Sequence, residues 1–132
     1  MELMKIMDCF TRITDARLKD CFIDDNSMLH FIVEENDIGK AIGRNGSRAK
    51  MVENILNRKI KIVEFNSDVL QFIKNTVFPL RIRGIENNSG EIVIDASDLK
   101  TRGLLIGRSA ANLRNLELIV KRYFDIKVIK VN

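Results

Sequence analysis

The sequence predicts an α+β protein built from two tandem copies of one element order, helix–strand–strand–helix–helix–strand. Apolar residues alternate in some short runs, as in strands, and recur in others at helical spacing. A glycine-rich string also occurs twice: Gly39 and Gly43 are each matched 64 residues later, by Gly103 and Gly107. A repeated string within a repeated element order indicates an internal duplication. We therefore expect two domains, each with a three-stranded sheet packed by helices.

The first copy, which we assign to residues 1–66, opens with a helix and a hairpin. Apolar residues at helical spacing predict a helix over about the first twelve positions. Two strand-like runs, 16–23 and 28–34, flank a polar cluster at 24–27 that is typical of a turn. Alternation along the second run predicts a strand with one buried face.

Three more elements complete the first copy: a short helix over 37–42, a second helix over about 47–57, and a strand over 59–64. Ser47 is expected to cap the second helix with its hydroxyl group. The apolar residues of that helix are expected to fall on one face, and they are Ala49, Val52, Ile55 and Leu56.

The pattern restarts in the second copy, which we assign to residues 67–132. Ser67 and Asp68 predict the cap of a helix that ends before Pro79. Two strands follow, separated by a turn signal at 87–90. The second glycine string, another amphipathic helix and a closing strand complete this copy.

The glycine string has the residues that a loop needs to bind a sugar-phosphate chain through its backbone. In the first copy it reads Gly-Lys-Ala-Ile-Gly-Arg-Asn-Gly, from Gly39 to Gly46. Glycine has no Cβ, so a sugar-phosphate chain can approach the protein backbone closely. The helix that follows presents its N–H groups and positive dipole end to an anion. The string therefore predicts contact with a nucleic-acid backbone without readout of the bases.

This string lies between a strand-like run and an amphipathic helix, and it resembles the Gly-x-x-Gly loop of KH domains, which clamps about four nucleotides. The element order resembles the type II KH domain, and two such copies with almost no linker resemble the KH pair of the NusA family. The strings Ala-Ile-Gly-Arg-Asn-Gly and Lys-Arg-Tyr-Phe-Asp-Ile carry that match. The absence of flanking domains favours the short archaeal form of the family.

The resemblance implies a single-stranded RNA-binding protein that acts in transcription elongation, termination or antitermination by gripping nascent RNA. It also implies RNA polymerase or the transcription complex as a partner. Two alternatives stay open. One is a KH protein associated with the ribosome or with RNA processing, and the other is a protein-interaction module whose KH loops are vestigial.

Candidate RNA contacts come from both strings and from the basic residues beside them. Ile42 and Ile106 are expected either to border a groove for the bases or to belong to the core. Ala110 replaces the last glycine of the second string: this is harmless if the position is helical, but it alters the loop if a positive φ is required. The candidates are Gly39, Lys40, Ile42, Gly43, Arg44, Asn45, Gly46, Arg48 and Lys50 in the first copy, and Lys100, Arg102, Gly103, Ile106, Gly107, Arg108, Ser109 and Arg114 in the second.

The distribution of charge fits a one-sided surface for nucleic acid. The chain has a formal net charge of +4. Seven basic residues and one acid lie between Lys40 and Lys61, and the acids cluster upstream, over 15–37. Four basic residues and no acid lie between Lys100 and Arg114. Segregated charge of this kind is typical of a binding face.

The composition argues against an enzyme and against a membrane protein. One histidine, His30, and no nucleophile–base pair leave no catalytic constellation, and the P-loop spacing is absent. Cys9 and Cys21 are isolated, which favours neither a zinc site nor a disulfide. No run of about 18 apolar residues is present. We therefore expect no cofactor or metal, no small-molecule substrate, and a cytoplasmic protein.

Overall fold

The computed structural model describes residues 2–132 and divides the chain into two compact units, 1–66 and 67–132. Each unit has the order helix–strand–strand–helix–helix–strand, with one turn of 3-10 helix between the last two helices. The predicted α+β fold class with two three-stranded sheets is therefore confirmed. Within residues 2–132, no helix is long and apolar enough to cross a membrane.

The first unit packs its helices on one face of its sheet. Strand β2 is central: it runs antiparallel to β1 and parallel to β3. The ring of Phe10 stacks on Phe31 with centroids 4.1 Å apart, and this pair joins the first helix to the central strand. The elements are α1 (Leu3–Thr14), β1 (Leu18–Ile23), β2 (Leu29–Val33), α2 (Ile38–Ile42), α3 (Ser47–Leu56) and β3 (Ile60–Glu64).

Strand β2 is buried on both faces, which corrects the expectation of a single buried face. All five residues from Leu29 to Val33 are buried, including His30 and Ile32 on the face away from the core cluster. The alternating pattern led to the wrong prediction because histidine is a polar residue that commonly faces solvent. Its Nε2 lies 2.6 Å from Oδ2 of Asp24, and this bond satisfies one polar atom of the buried ring.

The expected cap of α3 is wrong, and its apolar face is only partly buried. Ser47 is the first helical residue and makes no capping bond, because Gly46 occupies the cap position with φ of 74°. The tight loop before α3 enters the helix through this left-handed residue, which moves the cap back by one position. Ile55 is 56% exposed, so the buried face of α3 centres on Val52 alone, with Ala49 and Leu56 half-buried.

The second unit repeats this arrangement, with β5 as the central strand between β4 and β6. Asp68 caps the first helix as predicted, because its carboxylate accepts the Leu70 N–H at 3.2 Å. Strand β4 extends through Asn88, so the turn is shorter than the signal at 87–90 indicated. The elements are α4 (Val69–Val77), β4 (Ile82–Asn88), β5 (Glu91–Ala96), α5 (Leu99–Ile106), α6 (Ala111–Lys121) and β6 (Val128–Val131).

Unlike β2, the central strand β5 alternates in burial. Ile92, Ile94 and Ala96 are buried, and the residues between them are only partly covered. The two units therefore share a topology but differ in how fully the central strand is buried on the sheet face that lies away from the helices.

Candidate nucleic-acid interface

The two glycine strings form tight loops with nearly identical backbones. In the first loop, Gly43–Gly46, φ is 75° at Gly43, 55° at Asn45 and 74° at Gly46. In the second loop, Gly107–Ala110, the matching φ values are 73°, 52° and 61°. Each loop joins a short helix to the N-terminus of a longer one, α2 to α3 and α5 to α6.

The geometry at Ala110 resolves the alternative that the sequence left open. The position requires a left-handed backbone, with φ of 61° and ψ of 23°. The loop nevertheless keeps the conformation of the first loop. An alanine in this region costs roughly 1–2 kcal/mol relative to its relaxed conformation. The second unit thus retains the loop shape in spite of a residue that disfavours it.

The glycines fall into two groups by what surrounds them. A Cβ added to Gly39, Gly46 or Gly103 would meet no atom within 4 Å, so the backbone there faces open space. A Cβ added to Gly43 would come within 2.7 Å of Arg48 Cγ, and one added to Gly107 within 2.6 Å of Asn112 Cγ. The first group leaves room for a ligand at the backbone, and the second allows the next helix to pack closely.

Exposed cations surround both loops. Lys40, Arg44 and Lys50 are exposed in the first unit, and within residues 2–132 none of these three side chains forms an ion pair. In the second unit the predicted cations Lys100, Arg102, Arg108 and Arg114 are exposed as well. Among the residues that the structure describes, these side chains have no ion-pair partner that would compete with a phosphate group.

Arg48, another predicted RNA contact, is engaged inside the first unit. Its Nη1 donates to the Lys40 carbonyl at 2.9 Å and to the Thr14 carbonyl at 3.1 Å. The residue 64 positions later is Asn112, whose Nδ2 donates to the Leu104 carbonyl at 2.9 Å. Nothing in the sequence indicated the bond between Arg48 and Thr14, because the two residues are 34 positions apart.

The isoleucines before the loops differ in exposure. Ile42 is 39% exposed, so the core alternative does not hold for it. Ile106 is half-buried, and its neighbour Leu105 is the buried residue of α5. Leu104, which the sequence analysis did not single out, is 48% exposed and takes the position that Lys40 has in the first unit. Each loop is thus preceded by apolar surface.

An ion pair holds the start of α2. The Asp37 carboxylate accepts the backbone N–H of Arg17 at 2.7 Å and its guanidinium Nε at 3.1 Å. These hydrogen bonds lower the pKa of Asp37 below its ordinary value. In the second unit, Asp98 caps α5 instead, and the Thr101 N–H that it accepts at 2.7 Å lowers its pKa.

The buried pair of His30 and Asp24 belongs to the β1–β2 hairpin rather than to a glycine loop. Burial lowers the pKa of His30, although the hydrogen bond to Asp24 opposes that change. Burial likewise lowers the pKa of Lys61 on the neighbouring strand. The Phe22 ring stacks on the imidazole with centroids 4.9 Å apart. Across residues 2–132, no three potential ligands of the His, Cys, Asp and Glu types lie close enough to hold a metal ion.

Several curated proteins similar to this chain share the name NusA. "Probable transcription termination protein NusA" of Methanocaldococcus jannaschii is 32% identical over 133 residues, covering 98% of this chain and 72% of its own length. The protein of the same name from Methanococcus vannielii is 30% identical, covering 98% of this chain and 76% of its own. The Halobacterium salinarum protein is 26% identical and is covered over 94% of its length.

The solved structure of APE1850 is also similar. It superposes with a TM-score of 0.73 at 26% identity, covering 98% of this chain and 96% of its own. No family model matches the sequence.

Proposed function

The chain belongs to the NusA family, among its archaeal members, and from this premise we propose that it is a transcription factor that grips single-stranded RNA. Its units, 1–66 and 67–132, are in this proposal two KH domains. The observation that carries the proposal is the duplicated loop: the same left-handed backbone, open glycine faces and exposed cations occur in both units.

Phosphate groups would meet the loop backbone and the cations beside it. The open faces of Gly39 and Gly46 allow a sugar-phosphate chain to come against the main chain, and the positive dipole end of α3 points to the same loop. Lys40, Arg44 and Lys50 would neutralise phosphates there. Asn45, Gly43 and Ile42 complete the first site, and Gly103, Ile106, Gly107, Arg108, Ser109, Lys100, Arg102 and Arg114 form the second.

Bases would rest on the apolar surface that precedes each loop. Ile42 offers an exposed side chain in the first unit, and Leu104 with Ile106 offers more apolar surface in the second. Contacts of this type are tolerant of sequence because each base has an apolar face. Any preference among bases would come from hydrogen bonds along the groove.

The relatives' name, transcription termination protein, supports a proposal for the role in the cell. We propose that the chain acts on nascent RNA in the transcription complex of the cytoplasm, with RNA polymerase as a protein partner and without enzymatic activity. An RNA-free pull-down separates this from the ribosomal alternative. Retention of RNA polymerase supports the proposal, and retention of ribosomal subunits alone contradicts it.

A charge reversal inside the first loop tests the RNA site. Arg44→Asp with Asn45→Asp puts two acids between Gly43 and Gly46 and keeps both glycines. The matched control is Lys74→Asp with Asn75→Asp, which makes the same change of charge on α4. Binding of a pool of short single-stranded RNAs is titrated by fluorescence anisotropy, and circular dichroism checks that each variant folds.

We expect the loop variant to lose most of its affinity and the control to keep it. Equal affinity of the loop variant and the wild type would mean that RNA does not contact the first loop. Absence of any binding by the wild-type protein at low salt would favour the interaction module with vestigial loops.

A further inference from the structure

Residues 48 and 112 make the same bond at the same place in the two units. Arg48 Nη1 donates to the Lys40 carbonyl, and Asn112 Nδ2 donates to the Leu104 carbonyl, each at 2.9 Å. Both acceptors lie in the last turn of the helix before the loop, where carbonyls lack an intrahelical donor. The donor differs in length, charge and chemistry between the units, whereas the acceptor is in the same position.

The same two side chains lie across the first glycine of each loop. Cγ of Arg48 and Cγ of Asn112 fill the space that a Cβ on Gly43 or Gly107 would need, at 2.7 and 2.6 Å. The requirement for glycine at the first loop position is therefore set by the side chain five residues later, as well as by the positive φ. Each loop therefore packs against a side chain of the helix that follows it.

Arg48 also contacts the first helix of its unit. Its Nη1 also bonds the carbonyl of Thr14, the last residue of α1, at 3.1 Å. The guanidinium thus faces the C-terminal ends of both α1 and α2. A cation at the negative end of a helix dipole is favourable, and here it also covers carbonyl oxygens next to a loop that would receive phosphates.

We propose that Arg48 and Asn112 are positioning residues for the two loops. Each ties the carbonyl end of the preceding helix to the start of the following one, and so holds the loop backbone in its left-handed conformation. Arg48 then supports RNA binding through the backbone of Gly43–Gly46 rather than as a phosphate ligand. The part that concerns RNA rests on the proposed function, whereas the part that concerns the loop does not.

Three variants separate a positioning role from a phosphate contact. Arg48→Met keeps the aliphatic stem and removes every donor, whereas Arg48→Asn removes the charge and installs the donor that the second unit uses. Lys50→Met is the matched control, because it removes a charge from α3 and the Lys50 side chain makes no hydrogen bond or ion pair within residues 2–132. For each variant we would measure amide hydrogen exchange over 43–47, and the affinity for a random single-stranded 12-mer RNA pool at several salt concentrations.

We expect Arg48→Met to speed up amide exchange in the loop several-fold and to weaken RNA binding about five-fold, the size of one net hydrogen bond. Arg48→Asn should stay within about two-fold of the wild type in both measurements. Lys50→Met should leave the exchange unchanged and reduce the magnitude of the salt slope by about 0.7.

Two results would overturn the positioning role. One is an equal loss of affinity in Arg48→Met and Arg48→Asn, with the salt slope reduced by about 0.7 in both, which identifies a phosphate ligand. The other is unchanged loop exchange in Arg48→Met, whether or not RNA binds. If the wild type binds no RNA but Arg48→Met still speeds up loop exchange, the positioning role stands and the proposed function fails.

Discussion

The first loop, Gly43–Gly46, and the second loop, Gly107–Ala110, hold one backbone conformation with different side chains. Their matching φ values differ by no more than 13°. The last glycine of the first loop is an alanine in the second, and an arginine that bonds a helix carbonyl is replaced by an asparagine that makes the same bond. The two copies thus preserve backbone geometry and its internal support more closely than they preserve residue type.

The charge beside the loops has diverged further. Lys40 corresponds to the exposed Leu104, and Arg48 corresponds to the neutral Asn112, whereas Arg44 and Arg108 match. If both units bind RNA as proposed, the first should depend more strongly on salt and the second more on apolar contact. Loop shape and loop charge are separable properties here, and each can be changed alone.

The largest effect is expected from filling the packed side of a loop. Gly43→Ala would force a Cβ against Arg48 at 2.7 Å while also keeping a positive φ. Strain and overpacking together should lower the free energy of unfolding by about 2–4 kcal/mol. Gly46→Ala, whose Cβ meets open space, should cost only about 1 kcal/mol. Urea unfolding measures both free energies. Equal costs would contradict the difference in free space around Gly43 and Gly46.

Changing residue 40 or residue 104 to its counterpart in the other unit should make the two loops alike in salt dependence. Lys40→Leu removes a cation beside the first loop, and Leu104→Lys adds one at the matching place in the second. If both positions contact phosphates, the magnitude of the salt slope for RNA binding should fall by about 0.7 in the first variant and rise by about 0.7 in the second. A variant carrying both changes should return to the wild-type slope, and a change in affinity without a change in slope would exclude direct phosphate contact.

A fall in pH should destabilise the first turn of α2 and of α5, each through protonation of its own carboxylate. The pKa values of Asp37 and Asp98 lie below the ordinary value of 3.8, because hydrogen bonds favour the ionised forms. Their stabilisation is complete above that value and is lost as the pH falls through the lower pKa of the folded state. Asp37→Asn and Asp98→Asn should each flatten the fall in melting temperature between about pH 5 and pH 2. A wild-type acid profile in either variant would show that the corresponding carboxylate does not contribute.

The smallest effect is expected from restoring the missing glycine. Ala110→Gly relieves the left-handed strain but also increases the entropy of the unfolded chain, so the net gain in stability should not exceed about 1 kcal/mol. Because the backbone already has the conformation of the first loop, RNA affinity should change by less than about two-fold. Thermal unfolding and an RNA titration check these two values, and a large gain in affinity would mean that the second loop differs from the first when RNA is bound.

The sequence predicted the element order and the loops because both depend on local spacing. Glycine pairs at a fixed offset and alternating apolar runs are readable without any knowledge of distant contacts. The Asp68 cap was predicted for the same reason, since its acceptor and its donor are two residues apart.

Features that depend on contacts between distant segments could not be predicted in this way. The burial of His30 is compensated by a bond to Asp24, which lies in the turn before β2 with its carboxylate 2.6 Å from the imidazole Nε2. Arg48 is occupied because the end of α1 comes within 3.1 Å of it. The left-handed backbone at Ala110 follows from the closure of the loop between two helices, which overrides the residue's own preference.

The last loop position is an attachment point for a chemical probe, because a Cβ at Gly46 meets open space and Ala110 holds the matching position in the second loop. Cys21 is buried, and burial raises the pKa of its thiol to about 11, so it would react slowly with maleimides and similar reagents. With the half-buried Cys9 replaced by serine, Ala110→Cys would offer one accessible thiol in a loop whose backbone already carries a side chain at that position. A fluorophore or photo-crosslinker attached there would report directly on what approaches the second unit during transcription.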